Sequence, residues 1–300
     1  MDQLPPDFFV SSLQFTKRVY QDVYPAINPT NPELGLTGKV VIITGASRGI
    51  GARGIVPAFA RAGPKGIVLV GTNVDALQIS EAGVKEANPS IKTLAVAADI
   101  SDASSVAELF ARVKDSFGHA DILINNAAVR SGGGNIHEDK PEEWWRNFEV
   151  NTKGAFLLIQ NFINALPTPS TPATIVNVVT AGAWGAYPQM SGYALSKLAA
   201  LQLVAKVAAA YPNITAIALH PGLVETDMFH PSFRRFNLDS PALVGGTLVW
   251  LAGEKAKFLT GRTITSNWSV EDLTERKDEI EAGNLLKIGL QGKFGKEQFE

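Results

Sequence analysis

Thr44-Gly45-Ala46-Ser47-Arg48-Gly49-Ile50-Gly51 is the stretch that decides the fold of this chain. An apolar, β-branched run at 40–43 leads directly into it, and a segment with helical periodicity, 49–62, follows it. A strand that passes through a glycine loop into a helix is typical of the start of a βαβ unit, because glycines allow the tight turn. The stretch therefore predicts an α/β fold.

Strand-like and helix-like segments alternate along most of the chain. Further short apolar runs rich in β-branched residues occupy 67–70, 93–97, 122–124, 174–179 and 215–219, and a last strand is expected near 263–265. Helical periodicity marks 74–87, 102–117, 141–165 and 192–211. Such alternation is typical of a parallel sheet covered by helices on both faces. We predict a single doubly wound, Rossmann-like α/β domain over 38–270, followed by a polar tail at 271–300.

Residues 1–37 differ in character and are predicted to form an N-terminal extension. Prolines at both ends bracket 8–24, in which apolar and aromatic residues recur at helical spacing. This pattern predicts a short amphipathic helix plus a linker that packs on the main domain or on a neighbouring subunit. A helix on a membrane surface is the alternative, but its polar face would lack the usual Lys and Arg.

Composition excludes several classes of function. The 27 basic and 29 acidic residues give a formal charge of −2, which offers no basic field for nucleic acid and no polybasic membrane anchor. The absence of cysteine excludes disulfides and thiol nucleophiles, and the four histidines show no metal-ligand spacing. No apolar run is expected to reach membrane-spanning length, and the N-terminus lacks a signal-peptide pattern. We expect a cytoplasmic protein without a metal.

The glycine loop and the end of the second predicted strand indicate a dinucleotide. Gly45, Gly49 and Gly51 let the backbone approach a pyrophosphate, and the next helix offers its N-terminal N–H groups. A carboxylate after the second strand would bind the ribose hydroxyls of NAD, but Gly71-Thr72-Asn73 stands there. Arg48 supplies a guanidinium suited to a 2′-phosphate. We predict NADP(H); the alternatives are a glycine turn that serves packing and a solvated Arg48.

Tyr193 and Lys197, within Tyr193-Ala194-Leu195-Ser196-Lys197, indicate the chemistry. They lie one helical turn apart on one face, and Thr180 precedes them in the chain. A carbonyl that receives hydride develops alkoxide charge and needs a proton donor and a polarising hydrogen bond. A phenol has a pKa of about 10, and a nearby ammonium would favour its ionised form. The pattern predicts hydride transfer between a nicotinamide and a carbonyl or alcohol carbon; the alternative is a surface pair without a role.

The chain resembles the short-chain dehydrogenase/reductase family from about residue 38 to residue 261. Besides the glycine loop, the family's landmarks occur in the family's order. They are Asp99-Ile100, Asn125-Asn126-Ala127-Ala128, Val150-Asn151, Thr180, Tyr193-x-x-x-Lys197 and Pro221-Gly222-Leu223-Val224-Glu225-Thr226. Thr180 stands where the family usually has Ser, and Ala128 where it has Gly. The threonine keeps the hydroxyl, and the extra methyl of Ala128 is expected to be tolerated.

The resemblance implies a role for each landmark. Tyr193 would exchange the proton, Lys197 would also hold the nicotinamide ribose, and Asn151 would anchor a water in the proton relay. Asp99 would border the adenine; the alternative is that Asp99 or Ser101 caps the helix 102–117. Cofactor contacts are expected from Gly45, Ser47, Arg48, Gly49, Ile50, Gly51, Thr72, Asn73, Asp99, Ile100, Asn126, Ala127, Tyr193, Lys197, Pro221, Gly222, Val224 and Thr226.

Apolar and aromatic residues are expected to surround the substrate. By resemblance they are Val129, Trp184, Tyr187, Met190, Val224, Met228 and Phe229, of which Trp184, Tyr187 and Met228 are the predicted pocket residues. Core packing is the alternative for about half of this set. The lid segment (residues 228–240) lies where family members carry a substrate lid. Its Arg234 and Arg235 would face an acidic substrate or, alternatively, solvent.

The sequence therefore predicts an NADPH-dependent oxidoreductase that reduces a medium-sized apolar carbonyl compound, or oxidises the alcohol in reverse. Two alternatives remain open. One is an NAD-linked secondary alcohol dehydrogenase, and the other is a dinucleotide-binding protein with a non-redox role. The long apolar helices 141–165 and 192–211, which relatives pair between subunits, predict a homodimer or homotetramer.

Overall fold

The computed structural model of the chain describes residues 4–292 and 294–296. Seven parallel strands form one sheet in the order β3-β2-β1-β4-β5-β6-β7. They are β1 (Val40–Thr44), β2 (Gly66–Gly71), β3 (Lys92–Ala97), β4 (Ile122–Asn125), β5 (Ala173–Val178), β6 (Ile214–His220) and β7 (Thr263–Thr265). The chain reverses its direction of winding between β1 and β4, which opens a crevice at the carboxyl ends of the strands. The predicted doubly wound, Rossmann-like fold is confirmed.

Helices cover both faces of this sheet. The α-helices are α1 (Phe8–Ser11), α2 (Val56–Ala62), α3 (Val74–Ala87), α4 (Ala103–Phe117), α5 (Pro141–Phe148), α6 (Ala155–Asn164), α7 (Ser191–Ala210), α8 (Pro241–Leu251), α9 (Val270–Glu275) and α10 (Lys277–Ala282). In β1, Val41 and Ile43 belong to the core on one face, and Val40 and Ile42 belong to the core on the other. Burial on both faces explains why the strands are continuously apolar in sequence.

Two of the predicted helices contain a wider π turn. The segment predicted as a helix over 49–62 opens with the π turn Gly51–Ile55, and the one predicted over 141–165 is divided by the π turn Glu149–Gly154. At Gly154, a Cβ would lie 2.9 Å from Cγ1 of Ile100, so the backbone packs directly on that side chain. A π turn hardly changes the apolar pattern along a helix, and periodicity did not predict it.

Helix α7 shows that the expectation of no apolar run of membrane-spanning length was wrong. In length and composition it would suffice to cross a membrane, and within the described residues it is the one helix that would. In this fold it packs along β5 and β6 and buries Ala200, Leu201 and Val204 in the core. Its apolar composition therefore serves the core, and the same helix carries Tyr193 and Lys197.

The N-terminal segment is mostly not helical. Only Phe8–Ser11 forms an α-helix within 8–24, although the apolar spacing suggested more. Asp7 makes no side-chain cap, and the later backbone groups bond to distant parts of the chain; Tyr20 N–H, for example, donates to the Asn267 carbonyl at 2.8 Å. The apolar side chains of this segment therefore pack on the domain from a backbone of turns and irregular stretches. Beyond residue 270, α10 buries Ile280, so that part of the chain adds to the core.

Candidate active site

The glycine loop forms a closed turn at the carboxyl end of β1. Gly45 and Gly49 have φ angles of 67° and 56°, in the left-handed region that favours glycine. A Cβ on Gly51 would lie 2.0 Å from the Gly45 carbonyl oxygen. Asn126 Nδ2 donates to the carbonyls of Thr44 and Gly45, at 3.0 and 3.3 Å, and so fastens the loop to the end of β4. The loop is shaped for close approach of an anion to backbone N–H groups.

The end of β2 carries no acid, as the sequence indicated. Thr72 is exposed, and the Asn73 side chain accepts a 2.9 Å hydrogen bond from Ala76 N–H to cap α3. Gly71 packs on Ser47, whose Oγ would lie 2.9 Å from a Cβ at that position. Arg48 forms an exposed ion pair with Asp227 at 3.3 Å. The guanidinium predicted to bind a phosphate thus already contacts a carboxylate across the crevice.

Asp99 follows β3 and has an exposed side chain. The Ser101 hydroxyl donates to it at 2.6 Å and lowers the pKa of this carboxyl, and Arg146 lies 3.6 Å away. Neither Asp99 nor Ser101 caps α4. Asp102 does, because its carboxylate accepts hydrogen bonds from the N–H groups of the first turn. Asp99 therefore lies at the rim of the crevice without capping the helix. The neighbouring Ile100 is buried.

Tyr193 and Lys197 lie one turn apart in α7, and burial changes the acidity of both. Burial raises the pKa of Tyr193 to about 12, and the positive charge of Arg130 opposes that rise only in part. Burial lowers the pKa of Lys197 to about 8, so the ammonium form still predominates at pH 7. Its Nζ donates to the Val178 carbonyl at 2.8 Å. Lys197 was expected to favour the phenolate; in this arrangement the phenol is held protonated, as a proton donor requires.

Asn151, in the π turn Glu149–Gly154, is held by its side chain. Its Oδ1 accepts from Val129 N–H at 2.9 Å, and its Nδ2 donates to the Val129 carbonyl and to Ser196 Oγ, at 2.9 and 3.0 Å. Ser196 Oγ in turn donates to the Tyr193 carbonyl at 2.7 Å. Both amide hydrogens of Asn151 are therefore engaged, and they tie the loop after β4 to the turn of α7 that carries the Tyr–Lys pair.

A small polar cavity lies behind Lys197. It is narrow and is lined in part by the polar side chains of Thr44, Asn125, Asn151, Asn177 and Lys197. Asn125 Nδ2 donates to Asn177 Oδ1 at 2.9 Å, which joins the ends of β4 and β5. Elements from β1, β4, β5 and α7 thus converge on the lysine amine.

Thr180 begins the loop after β5. Its Oγ1 accepts from Gly182 N–H at 3.3 Å and caps the short 3₁₀ turn Ala181–Ala183. His220, at the end of β6, accepts at Nδ1 from Ala181 N–H at 3.3 Å. Burial lowers the pKa of His220 to about 4, which keeps the ring neutral and able to accept. Sequence reasoning missed His220; its place directly before Pro221-Gly222 was the available signal.

A second group that sequence reasoning missed lies beside Tyr193. A narrow cleft is lined by Tyr193, Met190 and Ser191 from one side and by Arg130, Ser131 and Asp139 from the other. Asp139 accepts from Gly133 and Gly134 N–H, both at 3.1 Å, and these bonds lower the pKa of its carboxyl. The run Ser131-Gly132-Gly133-Gly134 was the signal in the sequence, since glycines allow such a turn.

The segment after β6 lies over the glycine loop. A Cβ on Gly49 would lie 3.6 Å from Thr226 Cγ2, and Arg53 donates to the Glu225 carbonyl. Gly222 has a φ angle of 81°, and a Cβ there would lie 2.2 Å from Asp239 Oδ2. The predicted pocket residues Trp184, Tyr187 and Met228 are between 39% and 44% exposed. Their partial exposure places apolar surface at the open side of the crevice.

These residues fit a nicotinamide dinucleotide. The glycine loop is a cradle that any side chain at Gly51 would fill, it opens at the N-terminal end of a helical segment, and Thr226 faces it. Tyr193 and Lys197 rise from the same edge of the sheet, at the switch point where open α/β sheets bind their ligands. The fold and the crevice thus define a dinucleotide-dependent oxidoreductase.

Comparison with known proteins identifies the family. A family model described as short chain dehydrogenase matches residues 39–236, and the chain belongs to this family. Short chain dehydrogenase mpl6 of Monascus purpureus is 36% identical over 292 residues, which cover 94% of this chain and 99% of that protein. Short chain dehydrogenase andI of Emericella variicolor is 31% identical and covers 92% and 96%.

Solved structures show the same fold. The 3-ketoacyl-(acyl-carrier-protein) reductase of Brucella melitensis complexed with NADH is 28% identical, with a TM-score of 0.70 over 78% of this chain and 98% of that chain. The L-sorbose reductase of Gluconobacter frateurii complexed with NADPH and L-sorbose is 25% identical, with a TM-score of 0.70 over 79% and 98%. The protein is an NAD(P)-dependent oxidoreductase that acts on CH–OH or C=O groups of small molecules.

Proposed function

We propose that the protein is an NADPH-dependent carbonyl reductase that uses Tyr193 as its proton donor. The observation that carries this proposal is the place of the phenol, which lies at the cleft and one helical turn from the Lys197 amine. Tyr193 borders the cleft, and burial raises its pKa to about 12, so it is protonated throughout the neutral range. A protonated phenol beside the reacting oxygen is the form that reduction requires, because the alkoxide that develops must gain a proton.

The side chains around Tyr193 have separable tasks in this proposal. The bound nicotinamide would supply the hydride. Tyr193 would hydrogen bond to the carbonyl oxygen and release its proton as charge develops there, with Thr180 Oγ1 as the second hydrogen-bonding group. The Lys197 ammonium, buried close to the same crevice, would stabilise the resulting phenolate. Asn151 would keep α7 and the loop after β4 in register through Ser196.

A preference for NADPH is supported by the adenosine side of the crevice. No carboxylate follows β2, where one would repel a 2′-phosphate. Arg48 is exposed at the glycine loop, so its guanidinium is free to turn from Asp227 to a more highly charged phosphate. Of the two similar solved structures, one holds NADH and the other holds NADPH. Both cofactors thus occur among similar proteins.

An apolar carbonyl compound with a polar end is the substrate that the lining favours. Trp184, Tyr187 and Met228 offer partly exposed apolar surface, whereas Arg130 and Ser131 bring polar groups to the cleft beside Tyr193. A ligand that spans both regions would bury its apolar body and pair its polar end.

The decisive experiment follows the oxidation of NADPH and of NADH with a panel of aromatic and aliphatic ketones. The proposal expects ketone-dependent consumption with NADPH favoured. Efficient use of NADH and secondary alcohols would instead support the NAD-linked alcohol dehydrogenase. Tight NADPH binding without turnover of any ketone or alcohol would support the non-redox alternative.

We also propose that the protein forms a homodimer or homotetramer. Trp145 on α5, Phe156 on α6 and Leu195 on α7 are 55%, 45% and 47% exposed, which leaves large apolar side chains on neighbouring helices uncovered. An isologous helix-to-helix contact would bury them. Light scattering should give a multiple of 32.0 kDa, and Phe156→Glu should lower it; a monomeric parent protein at micromolar concentration contradicts the proposal.

A further inference from the structure

The lid segment (residues 228–240) is pinned at both of its ends to the turn after β6. At its start, Phe229 N–H donates to the Thr226 carbonyl at 2.9 Å. At its end, Asp239 Oδ2 accepts from Leu223 N–H at 2.6 Å, and Asp239 N–H donates back to the Leu223 carbonyl at 2.9 Å. Within the described residues, the part between these ends pairs with no strand of the sheet. Its position therefore depends on the exposed Arg234–Glu225 ion pair, at 2.9 Å, and on what packs against its outer side.

The outer side of the lid segment is covered by the N-terminal clasp (residues 4–24). The Phe9 ring lies against Phe236 and Phe233, with centroids 4.8 and 5.5 Å apart. Asn237 N–H donates to the Pro6 carbonyl, and Ser240 N–H donates to the Gln21 carbonyl, both at 2.8 Å. The clasp thus contacts the second half of the lid, through rings at Phe233 and Phe236 and through backbone bonds at Asn237 and Ser240.

The rear of the clasp is fixed to the body of the protein. The Arg18 backbone N–H and Nε donate to Asp272 at 2.7 and 2.8 Å, and Trp268 Nε1 donates to the Leu13 carbonyl at 2.8 Å. Tyr24 is buried and accepts from Val270 N–H at 2.8 Å. These contacts anchor the clasp to the segment after β7. The contacts between the clasp and the lid therefore hold the lid in place relative to the body of the protein.

One side chain joins all three parts. Asn267 Nδ2, at the end of β7, donates both to the Tyr20 carbonyl of the clasp and to Asp239 Oδ1 of the lid, at 3.0 and 2.7 Å. Asp239 is buried and its other oxygen holds the Leu223 turn. The same network therefore fixes the turn that leads to Thr226, the residue next to the glycine loop.

We propose that the N-terminal clasp positions the lid over the substrate side of the crevice, with Phe9 as the principal positioning residue. This inference rests on the proposed function for its consequence in catalysis, because the lid matters to turnover only if a carbonyl compound binds beneath it. The arrangement itself is a property of the fold and is testable without turnover. Within the described residues, the ring contacts of Phe9 are with Phe8, Phe233 and Phe236, and its effect is transmitted by the last two.

The test compares Phe9→Ala with Phe8→Ala in the full-length protein. Phe8 is the matched control, since within the described residues its one ring contact is with Phe9 rather than with the lid. Trypsin cleavage after Arg234 or Arg235, followed by mass spectrometry, reports how often the lid opens. Loss of two edge-to-face ring contacts should speed this cleavage roughly tenfold in Phe9→Ala. Phe8→Ala should be cleaved at the parental rate.

Steady-state kinetics give the second readout. Phe9→Ala should raise the KM of the carbonyl substrate while kcat stays near that of the parent, and Phe9→Leu should be intermediate in KM and in cleavage rate. If Phe9→Ala does not fold, Phe9→Leu decides by the same two measurements. Cleavage and KM at parental values in the Phe9 variants overturn the clasp. If the parent reduces no ketone, the proposed function fails, and the cleavage rates alone still decide the clasp.

Discussion

The two sides of the crevice are held in different ways. The glycine loop on the cofactor side is fixed by neighbours in the fold that are also family landmarks, above all Asn126, which bonds to the Thr44 and Gly45 carbonyls. The lid segment on the substrate side is fixed by residues more than two hundred positions away, such as Phe9 and Gln21. Only the first arrangement leaves a compact pattern in the sequence.

The difference indicates where each side is free to change. A backbone cradle made of glycine and asparagine contacts a cofactor that many proteins share, so its geometry has little freedom. A lid supported by an extended segment depends on ring packing and on a few backbone bonds, which tolerate other side chains more readily. Substitutions in the clasp should therefore alter substrate binding with little effect on cofactor binding.

The largest effect is expected at Tyr193, which is the proposed proton donor and holds neither the glycine loop nor the lid segment in place. Tyr193→Phe removes one oxygen, and loss of the general acid should lower kcat by roughly 10²–10⁴-fold. Calorimetry should show unchanged NADPH binding. Tyr211→Phe is the matched control, because Tyr211 ends the same helix with 39% of its side chain exposed. A Tyr193→Phe protein that reduces ketones at the parental rate contradicts the proposed mechanism.

The pH dependence of stability in Asp239→Asn tests whether the Asp239 side chain holds the lid segment in place on the substrate side. Burial raises the pKa of Asp239 from 3.8 to about 6, so the folded state binds the proton more tightly than the unfolded state. Its contribution to stability is complete below pH 4 and is lost as the pH rises through 6. The difference in unfolding free energy, parent minus variant, should fall by at most about 3 kcal/mol between pH 4 and pH 7. Urea unfolding measures it; a difference independent of pH refutes the assignment.

Thr72→Asp alters the cofactor side alone. A carboxylate at the end of β2 should repel a 2′-phosphate and shift the ratio of NADPH to NADH affinity by about tenfold toward NADH. Gly71 is the poorer position for this change, because a side chain there would collide with Ser47. Thr72→Asn separates charge from size and should leave the ratio unchanged. Equal shifts in the two variants, measured by calorimetry, would show that charge is not responsible.

Asp227→Asn tests a contact that joins the two sides. Asp227 pairs with Arg48 across the crevice, and both side chains are more than two-thirds exposed. Releasing the guanidinium should tighten NADPH binding by less than about fivefold, since exposed ion pairs contribute little. NADH binding should not change. Weaker NADPH binding in this variant would show that Asp227 orients Arg48 rather than competing for it.

Much of the fold was predictable because the strands are buried on both faces. All seven strands lie where apolar, β-branched runs indicated them, and β7 coincides with the expected 263–265. The cofactor side followed from glycines whose φ angles only glycine adopts readily, as at Gly45 and Gly49. Local chemistry leaves a local signature, and the crevice at the switch point follows from the topology.

The remaining features depend on contacts between distant residues. Nothing near Phe9 in the sequence indicates that its ring meets Phe233 and Phe236. Asp99 and Ser101 were the alternatives considered for the cap of α4, but Asp102 caps it, with the extended backbone that a cap requires. The pKa of Tyr193 was expected to fall beside Lys197; it rises because burial outweighs the opposing charge of Arg130, and the Lys197 amine donates to Val178.

The π turn Glu149–Gly154 has a consequence for insertions and deletions. It holds one residue more than an α-helical turn needs, so deleting any residue within it would restore regular α-helix without breaking the chain. Because the π turn accommodates the extra residue as a local bulge, such a deletion would leave α5 and α6 in line and would change the directions of the side chains within the turn. Asn151 would then turn away from the Val129 backbone that it now bonds. A change in length that is usually mild on a helix would here separate the loop after β4 from α7.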